Sequence, residues 1–429
     1  MTMDIEEIPF SELLGEIIDN RGKTCPTAET GIPLIATNCI RNELLYPTYD
    51  KVRFVSKETY NSWFRGHPKP GDIIFVNKAT PGRVCLVPDP VDFCIAQDMV
   101  AIRANPKRVY PRFLFAVLRS PSVQERIRQM HVGTLIPHFK KGDFDKLLLP
   151  IPGRKEQEFI GDTYFELSAK IDLNRRMNET LEAIGRALFK SWFVDFDPVR
   201  AKAEGRDPRL PKHIADLFPA RLVNSELGQI PDGWDVAKLG DVAVNPRRGI
   251  QPESIDADTP YIALEHMPKR CIALSEWSIA CQLESNKFEF KRGEILFGKL
   301  RPYFHKAGVT PINGVCSTDI VVVAPQSEAW FGFVLGHVSS DAFVKYTNAR
   351  STGTKMPRTS WSDMARYEVV IPPVRVAMAF SAWMQPLVER IIQSIHESRT
   401  LARLRDTLLP KLISGQLRVR ATKRSFGEV

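Results

Sequence analysis

Two pairs of basic turns contain the residues best suited, by type and spacing, to a functional role. The role that they indicate is binding of an anionic polymer. The first turns are residues 77–83 (NKATPGR) and 298–306 (GKLRPYFHK), and the second turns are 133–141 (GTLIPHFKK) and 353–358 (GTKMPR). Arg and Lys donate to guanine edges and phosphates, while Thr and His suit phosphates or bases. We therefore predict DNA contacts from these side chains: Lys78, Arg83, Thr134, His138, Lys140, Lys141, Lys299, Arg301, Lys306, Thr354, Lys355 and Arg358.

For any one of these residues the alternative is a solvated loop charge. The recurrence of both turns in the same order favours binding over that alternative. The whole chain also carries 59 Lys and Arg against 50 Asp and Glu, a formal net charge of +9, which favours a polyanionic partner.

Catalytic motifs are not recognisable in the sequence. There is no glycine-rich S-adenosylmethionine loop, no Asn/Asp-Pro-Pro-aromatic motif for a flipped base, and no GxxxxGK[ST] phosphate loop. Asp232 with Glu289 and Lys291 could form a nuclease set around Mg²⁺, but such spacing arises easily in a chain this rich in charge. We expect a protein that is not itself an enzyme and that holds no metal or cofactor.

The seven cysteines show no C-x-x-C pair, so neither a zinc site nor a disulfide framework is indicated. No apolar run is long enough to cross a membrane, and the N-terminus is acidic, unlike a secretion signal. The sequence therefore predicts a reduced, cytoplasmic protein without a membrane partner. Its 429 residues, 43% of them hydrophobic, are enough for two or three domains.

A long helix must position the turns. Residues 156–193 place apolar side chains at alternating steps of four and three, bounded by Pro152 and Pro198. At about 1.5 Å per residue this rod is roughly 57 Å long, so it needs a partner rod. A second stretch repeats the seam, including two polar interruptions. The predicted packing residues are Ile160, Leu167, Ile171, Leu181, Leu188, Leu387, Ile391, Leu401 and Leu408.

The segments before the two helices repeat as well. Gly133 and Pro137 recur as Gly353 and Pro357, at the same offset that relates the two helices. The sequence thus predicts an α/β (α+β) fold in which two mixed α/β domains alternate with two long antiparallel helices forming a coiled coil. We expect an internal pseudo-twofold repeat, matching the local symmetry of duplex DNA. Residues 196–230 have little periodicity and are interpreted as an extended connector with one helical turn.

Several long segments resemble the specificity (S) subunit of type I restriction–modification enzymes. They are residues 191–198 (SWFVDFDP), 217–219 (LFP) with 225–234 (SELGQIPDGW), and 408–415 (LLPKLISG). The resemblance covers essentially the whole chain. It implies target recognition domains at 1–153 and 231–373, a central spacer helix at 154–195 and a distal spacer helix at 374–420. From its composition, the segment 421–429 is expected to be a basic, disordered tail.

This resemblance also implies partners and a division of labour. Each recognition domain would recognise half of an asymmetric, bipartite double-stranded DNA target, and the spacer would set the gap and dock two methyltransferase (M) subunits. Restriction (R) subunits would join that core. S-adenosylmethionine would belong to the M subunit, and ATP and Mg²⁺ to the R subunit. Two alternatives stay open: a specificity module of a methylation-only system, and a coiled-coil protein scaffold that does not bind DNA.

Two departures from the family pattern concern the distal helix. After Pro373 the sequence lacks the Glu-Gln pair found at 156–157, so this helix is expected to begin differently. Pro386 and Pro410 lie inside its seam, where proline is expected to kink the helix or confine its continuous part between them.

Overall fold

Residues 1–173 and 400–429 form one unit, and residues 174–399 form a second. The structure is a computed structural model that describes residues 5–20, 23–130, 137–281, 283–353 and 355–417. In chain order the elements of unit 1 are β1 (Glu6–Pro9), β2 (Leu14–Asp19), β3 (Ile32–Ile35), β4 (Arg53–Val55), α1 (Lys57–Ser62), β5 (Ile73–Val76), β6 (Val84–Leu86), β7 (Cys94–Ile95), β8 (Met99–Ala104), α2 (Pro111–Arg119), α3 (Pro121–Met130), β9 (Leu148–Ile151) and the first part of α4 (Arg154–Phe193).

Strand β5 lies at the centre of unit 1, in an antiparallel sheet of order β2-β8-β5-β6. All four of its residues are buried. Because successive side chains of a strand point to opposite faces, Ile73 and Phe75 enter one hydrophobic cluster while Ile74 and Val76 enter another. This burial on both faces fixes the end of β5, from which the first basic turn leaves.

Unit 2 contains the remainder of the long helix and the following elements: α5 (Asp197–Ala203), α6 (Lys212–Ala215), β10 (Leu222–Ser225), β11 (Gly228–Pro231), β12 (Asp235–Lys238), β13 (Ala243–Val244), β14 (Gly249–Ile250), β15 (Pro260–Ile262), β16 (Ser278–Ile279), β17 (Lys287–Phe290), β18 (Ile295–Gly298), β19 (Ala307–Val309), β20 (Gly314–Cys316), β21 (Ile320–Pro325), α7 (Phe331–Val338), α8 (Asp341–Ala349), α9 (Trp361–Ala365), β22 (Glu368–Ile371) and α10 (Val374–Ile413), whose last part belongs to unit 1.

The sheets of unit 2 repeat those of unit 1. The order β13-β21-β18-β19 corresponds to β2-β8-β5-β6, and the pair β12–β22 corresponds to β1–β9. The central strand again has two buried faces, with Ile295 and Phe297 in one cluster and Leu296 in another. A parallel pair in a second sheet recurs too, as β3–β7 and β15–β20. The predicted internal repeat and mixed α/β class are confirmed.

The two long helices each span 40 residues and pack in opposite directions. Within unit 1, the start of α4 at Ile160 shares a core with Leu412, near the end of α10. Within unit 2, the end of α4 at Trp192 shares a core with Phe380, near the start of α10. The helix pair is therefore antiparallel, as predicted. No helix among the described residues is both long and apolar enough to span a bilayer.

The expectation that proline confines the second helix is wrong, because α10 is continuous through Pro386 and Pro410. A proline inside a helix costs about 3 kcal/mol or more, since it removes one backbone hydrogen bond and crowds the preceding turn. Burial of the flanking residues offsets that cost: Met384 and Val388 lie in the core of unit 2, and Leu409 lies in the core of unit 1.

The segment 196–230 is packed and not extended, but the single helical turn expected within it is present as α6. This segment contains α5, α6 and a hairpin formed by β10 and β11. Phe196, Val199 and Phe218 are buried in the same hydrophobic cluster as Trp192. Each element is too short to produce periodicity in the sequence, and burial in the core of unit 2 holds the segment in place. The predicted tail at 421–429 lies outside the described residues.

Candidate nucleic-acid interface

In unit 1 the two basic turns are joined through their backbones. The turn after β5 (residues 77–83) lies against residues 137–141, and Lys78 and His138 form an isolated β-bridge. The Ala79 N–H donates to the Pro137 carbonyl at 3.0 Å, and the Phe139 N–H donates to the Asn77 carbonyl at 2.9 Å. The side-chain amide of Asn77 donates to the Phe139 carbonyl at 3.0 Å. The structure therefore brings both turns into one surface.

Charge on this surface comes from residues of both turns. Lys78 is 42% exposed, and its Nζ lies 3.6 Å from Asp98 Oδ1. Partial burial lowers the pKa of His138, and the positive charges of Lys78 and Lys140 lower it further. These effects favour the neutral imidazole, which offers one donor and one acceptor instead of a charge.

The other candidate residues in unit 1 differ in the contacts that their side chains make. Lys140 and Arg83 are exposed, and an Arg83 Nη1 contact to the Ile40 carbonyl at 3.5 Å is long for a hydrogen bond. Lys141 forms an ion pair with Asp19. Thr134 lies outside the described residues.

In unit 2 the corresponding turns are joined in the same way. The Arg301 N–H donates to the Pro357 carbonyl at 2.7 Å, and the Thr359 N–H donates to the Lys299 carbonyl at 3.1 Å. Leu300 and Arg358 form a β-bridge. The Arg301 Nη2 lies 3.4 Å from the Lys355 carbonyl. Thr354 lies outside the described residues.

An aspartate anchors the first turn in each unit. The Asp98 carbonyl accepts from the Asn77 and Lys78 N–H groups at 2.9 and 3.2 Å, and the Asp319 carbonyl accepts from the Lys299 N–H at 2.9 Å. Asp319 Oδ1 also accepts from Arg358 Nε at 3.1 Å. Exposed ion pairs of this kind contribute roughly 0–1 kcal/mol, so Lys78 and Arg358 can exchange their carboxylate for a phosphate at little cost.

The sequence alone does not predict the anchoring role of these aspartates. Asp98 and Asp319 occupy matching places in the two repeats, and that recurrence was the available signal. The backbone bonds that they make depend on the sheet geometry, which the sequence does not display.

Lys306 is positioned differently from the other candidates. Its Nζ donates to the Leu264 carbonyl, and its pKa is lowered by burial and then by the nearby Lys269. This half-buried side chain braces the turn from within, whereas Lys355 and Arg358 are exposed.

The residues predicted to pack the helix seam lie in three settings. Ile160 and Leu408 belong to the unit 1 core, where Leu167 lies beside Leu408 around a small void. In unit 2, Leu181 packs with Ile391, and Leu188 and Leu387 pack against the main cluster. Ile171 and Leu401 are half-buried.

A polar pair interrupts the seam within unit 2. Asn174 is only 1% exposed, and its Nδ2 donates to Glu397 Oε2 at 2.8 Å and to Ser398 Oγ at 3.2 Å. The Nδ2 group meets both of these partners in one alignment only, so the contact favours one register of the two helices.

Asp232, one of the three residues of the nuclease alternative, is bound to an arginine side chain. Asp232 accepts from Arg221 Nε at 2.6 Å. Within the part of the chain that the structure describes, no group of three or more His, Cys, Asp or Glu side chains could hold a metal ion.

Comparison with known proteins finds similarity to specificity subunits of type I restriction enzymes. Residues 14–183 match the family model described as type I restriction modification DNA specificity domain. The chain is 26% identical over 405 residues to the type I restriction enzyme MjaIX specificity subunit of Methanocaldococcus jannaschii, covering 90% of this chain and 87% of that protein. It is 26% identical over 402 residues to the HindI specificity subunit of Haemophilus influenzae, covering 81% and 87%.

A solved structure shares the fold. The S subunit of a type I restriction–modification system from M. genitalium superposes with a TM-score of 0.57 at 14% identity, covering 96% of each chain. At that identity the likeness concerns the fold.

Proposed function

We propose that this chain, which belongs to the family of type I restriction–modification specificity subunits, selects the DNA sequence on which such a complex acts. Specificity subunits carry no catalytic step of their own. Methyl transfer and cleavage accordingly belong to partner subunits, with S-adenosylmethionine bound by the methyltransferase and ATP and Mg²⁺ by the restriction subunit.

The observation that carries this proposal is the repeated pair of turns. Each unit joins a basic turn after a buried central strand to a second basic turn, through backbone bonds around Lys78 and His138 in one unit and around Leu300 and Arg358 in the other. Backbone pairing presents charged side chains as a set, and phosphate contacts from such a set orient a protein on duplex DNA while base contacts confer specificity.

Divergence between the two units supports an asymmetric target. Unit 1 offers Lys78, Arg83 and a histidine, whereas unit 2 offers Lys299, Arg301 and an arginine at the position matching that histidine. Because donors and acceptors differ, the two units prefer different bases. We infer a target in two parts, one for each unit, with the helix pair setting the gap and docking two methyltransferase subunits.

Two double variants test the assignment of the parts. Lys78→Ala with Arg83→Ala should relax or abolish recognition of one part of the target, and Lys299→Ala with Arg301→Ala should do so for the other. Each lost bidentate base contact costs about 1–3 kcal/mol of discrimination. The measurement is the position of methylated bases across a genome in cells that express the variant with its methyltransferase subunit.

A matched control removes two exposed basic residues outside the turns, Arg206 and Lys212. It should leave the methylated sequence unchanged. If either double variant altered both parts of the target equally, the division between units would be wrong. If neither altered the target while methylation continued, the turns would not be the recognition surface.

A further inference from the structure

The turn at residues 301–305 of unit 2 holds two non-glycine residues in the left-handed region. Arg301 has φ of +50° and His305 has φ of +52°. Side chains rarely adopt this conformation, because Cβ crowds the backbone there. Such strain persists only where surrounding structure imposes it, and it clusters at functional sites. The shape of this turn is therefore imposed by its contacts.

Those contacts fix both ends of the turn. At one end the Arg301 N–H donates to the Pro357 carbonyl at 2.7 Å. At the other end the His305 carbonyl accepts from the Arg270 N–H at 2.8 Å, and the buried His305 ring donates through Nε2 to the Ser339 carbonyl at 2.8 Å. The residues between the two ends are thus held in place before any ligand arrives.

Between those ends an aromatic side chain faces solvent. Tyr303 is 50% exposed. Its ring packs edge-on against Phe304 at a centroid distance of 4.8 Å and an angle of 63°. The Lys269 Nζ lies 4.6 Å from the centre of the Phe304 ring on the same turn. The contact with Phe304 therefore restricts the position of the Tyr303 ring.

Basic residues accompany Tyr303 on the two joined turns. Arg301 precedes it by two residues and also contacts the Lys355 carbonyl, and Arg358 is exposed on the joined turn. Beside Lys355, Met356 is 46% exposed. Cations attract phosphates, but an aromatic ring gains nothing from a phosphate and gains energy from the face of a base.

We propose that Tyr303 contacts a base directly, stacking on it or entering a base step in the part of the target that unit 2 recognises. This assignment rests on the proposed function and deepens it. The matching turn of unit 1, NKATPGR, contains no aromatic residue. The two parts of the target are therefore recognised by different physical means, with ring–base contact confined to the unit 2 turn of this matched pair.

The test uses the chain assembled with its methyltransferase subunit and a duplex carrying the mapped target. One base of the unit 2 part is replaced by 2-aminopurine, whose fluorescence reports stacking. Tyr303→Ser should weaken binding about tenfold, within the range that a stacked base contributes, and should change the fluorescence of the bound duplex. Tyr303→Phe should retain both properties because it keeps the ring.

Two control variants test whether the ring itself is responsible. Ile279→Ser removes a similarly exposed apolar side chain of unit 2, in β16, and should have no effect. Should the serine variant of Tyr303 unfold at a lower temperature, Tyr303→Leu, which retains apolar bulk without the ring, should still lose the fluorescence signature. Unchanged binding and fluorescence in Tyr303→Ser would refute the role of Tyr303.

The remaining outcomes also decide the question. Loss of the methyltransferase subunit on purification of Tyr303→Ser would assign the ring to assembly and overturn base contact. If the Tyr303 variants behave as wild type while Lys299→Ala with Arg301→Ala still alters the target, base contact by Tyr303 is refuted and the proposed function stands. If that double variant is also without effect, the proposed interface itself fails.

Discussion

At the scale of single residues, burial decides which ionisable groups respond to pH. His337 on α7 is enclosed by the rings of Phe189, Phe333 and Tyr367, at centroid distances of 4.9, 4.5 and 5.9 Å. Burial lowers its pKa from the ordinary 6.5 to about 3, since no charge compensates the imidazolium. The Nε2 atom has no hydrogen-bond partner among the described residues.

This histidine should make unit 2 sensitive to acid. The unfolded chain binds a proton at His337 below pH 6.5, whereas the folded chain remains neutral there until about pH 3. Protonation of His337 therefore leaves the free energy of unfolding unchanged above pH 6.5. Below pH 6.5 it lowers that free energy by about 1.4 kcal/mol per pH unit as the pH drops towards 3. His337→Leu should reduce the loss of unfolding free energy between pH 7.5 and 5, measured by denaturant titration.

His213→Leu is the matched control for His337→Leu. His213 on α6 is exposed, so its substitution leaves the core around His337 unchanged. An identical pH dependence for the wild type and His337→Leu would show that another group governs acid sensitivity.

At the scale of elements, α7 lies unusually close to α4 within unit 2. A Cβ placed on Gly336 would come within 2.0 Å of Phe189 Cδ2 and 2.5 Å of its Cε2. Phe189 is itself buried against Phe193 and Phe380, so the ring has little room to move. The absence of a side chain at Gly336 allows α7 to pack this closely against α4.

Gly336→Ala should therefore destabilise unit 2 by about 1–3 kcal/mol, the usual cost of overpacking a core. Gly249→Ala is the matched control, because a Cβ there meets nothing within 4 Å. Combining Gly336→Ala with Phe189→Leu should recover part of the loss, as measured by thermal and denaturant unfolding. If Gly336→Ala were as stable as the wild type, close packing of α7 against α4 at Gly336 would not be required for the stability of unit 2.

At the scale of the whole molecule, the proposed function assigns to the helix pair the role of setting the gap between the two parts of the DNA target. The alignment of the two helices is favoured by apolar contacts such as Leu181 with Ile391 and by the polar contact of Asn174 with Ser398. A spacer of this kind changes length only if both helices change together, because a lone insertion moves every later residue out of alignment.

Matched insertions test the spacer. Seven residues added to α4 within 175–180 and seven added to α10 within 390–396 keep the seam on the same faces to within about 20°. They add about 10.5 Å of helix, equivalent to about three base pairs at roughly 3.4 Å each. The gap between the two parts of the methylated target should lengthen by about that amount. A gap that stays constant in an active complex would contradict the spacer role.

The sequence by itself determined the repeat, because Gly133 and Pro137 recur as Gly353 and Pro357 and because apolar periodicity identifies long helices directly. It also indicated the basic turns. Within the connector it indicated only the helical turn present as α6, because α5 and the hairpin are too short for periodicity and owe their structure to burial of Phe196 and Phe218.

Tertiary structure alone decided which basic side chains are exposed to solvent and which are used internally. Lys306 and Arg358 are both basic residues in candidate turns, yet one donates to the Leu264 carbonyl and the other lies exposed beside Asp319. The strained turn that presents Tyr303 is likewise fixed by Arg270, Ser339 and Pro357, which are distant in the sequence. Local sequence specifies which side chains are available, whereas long-range hydrogen bonds and burial determine where each of them points.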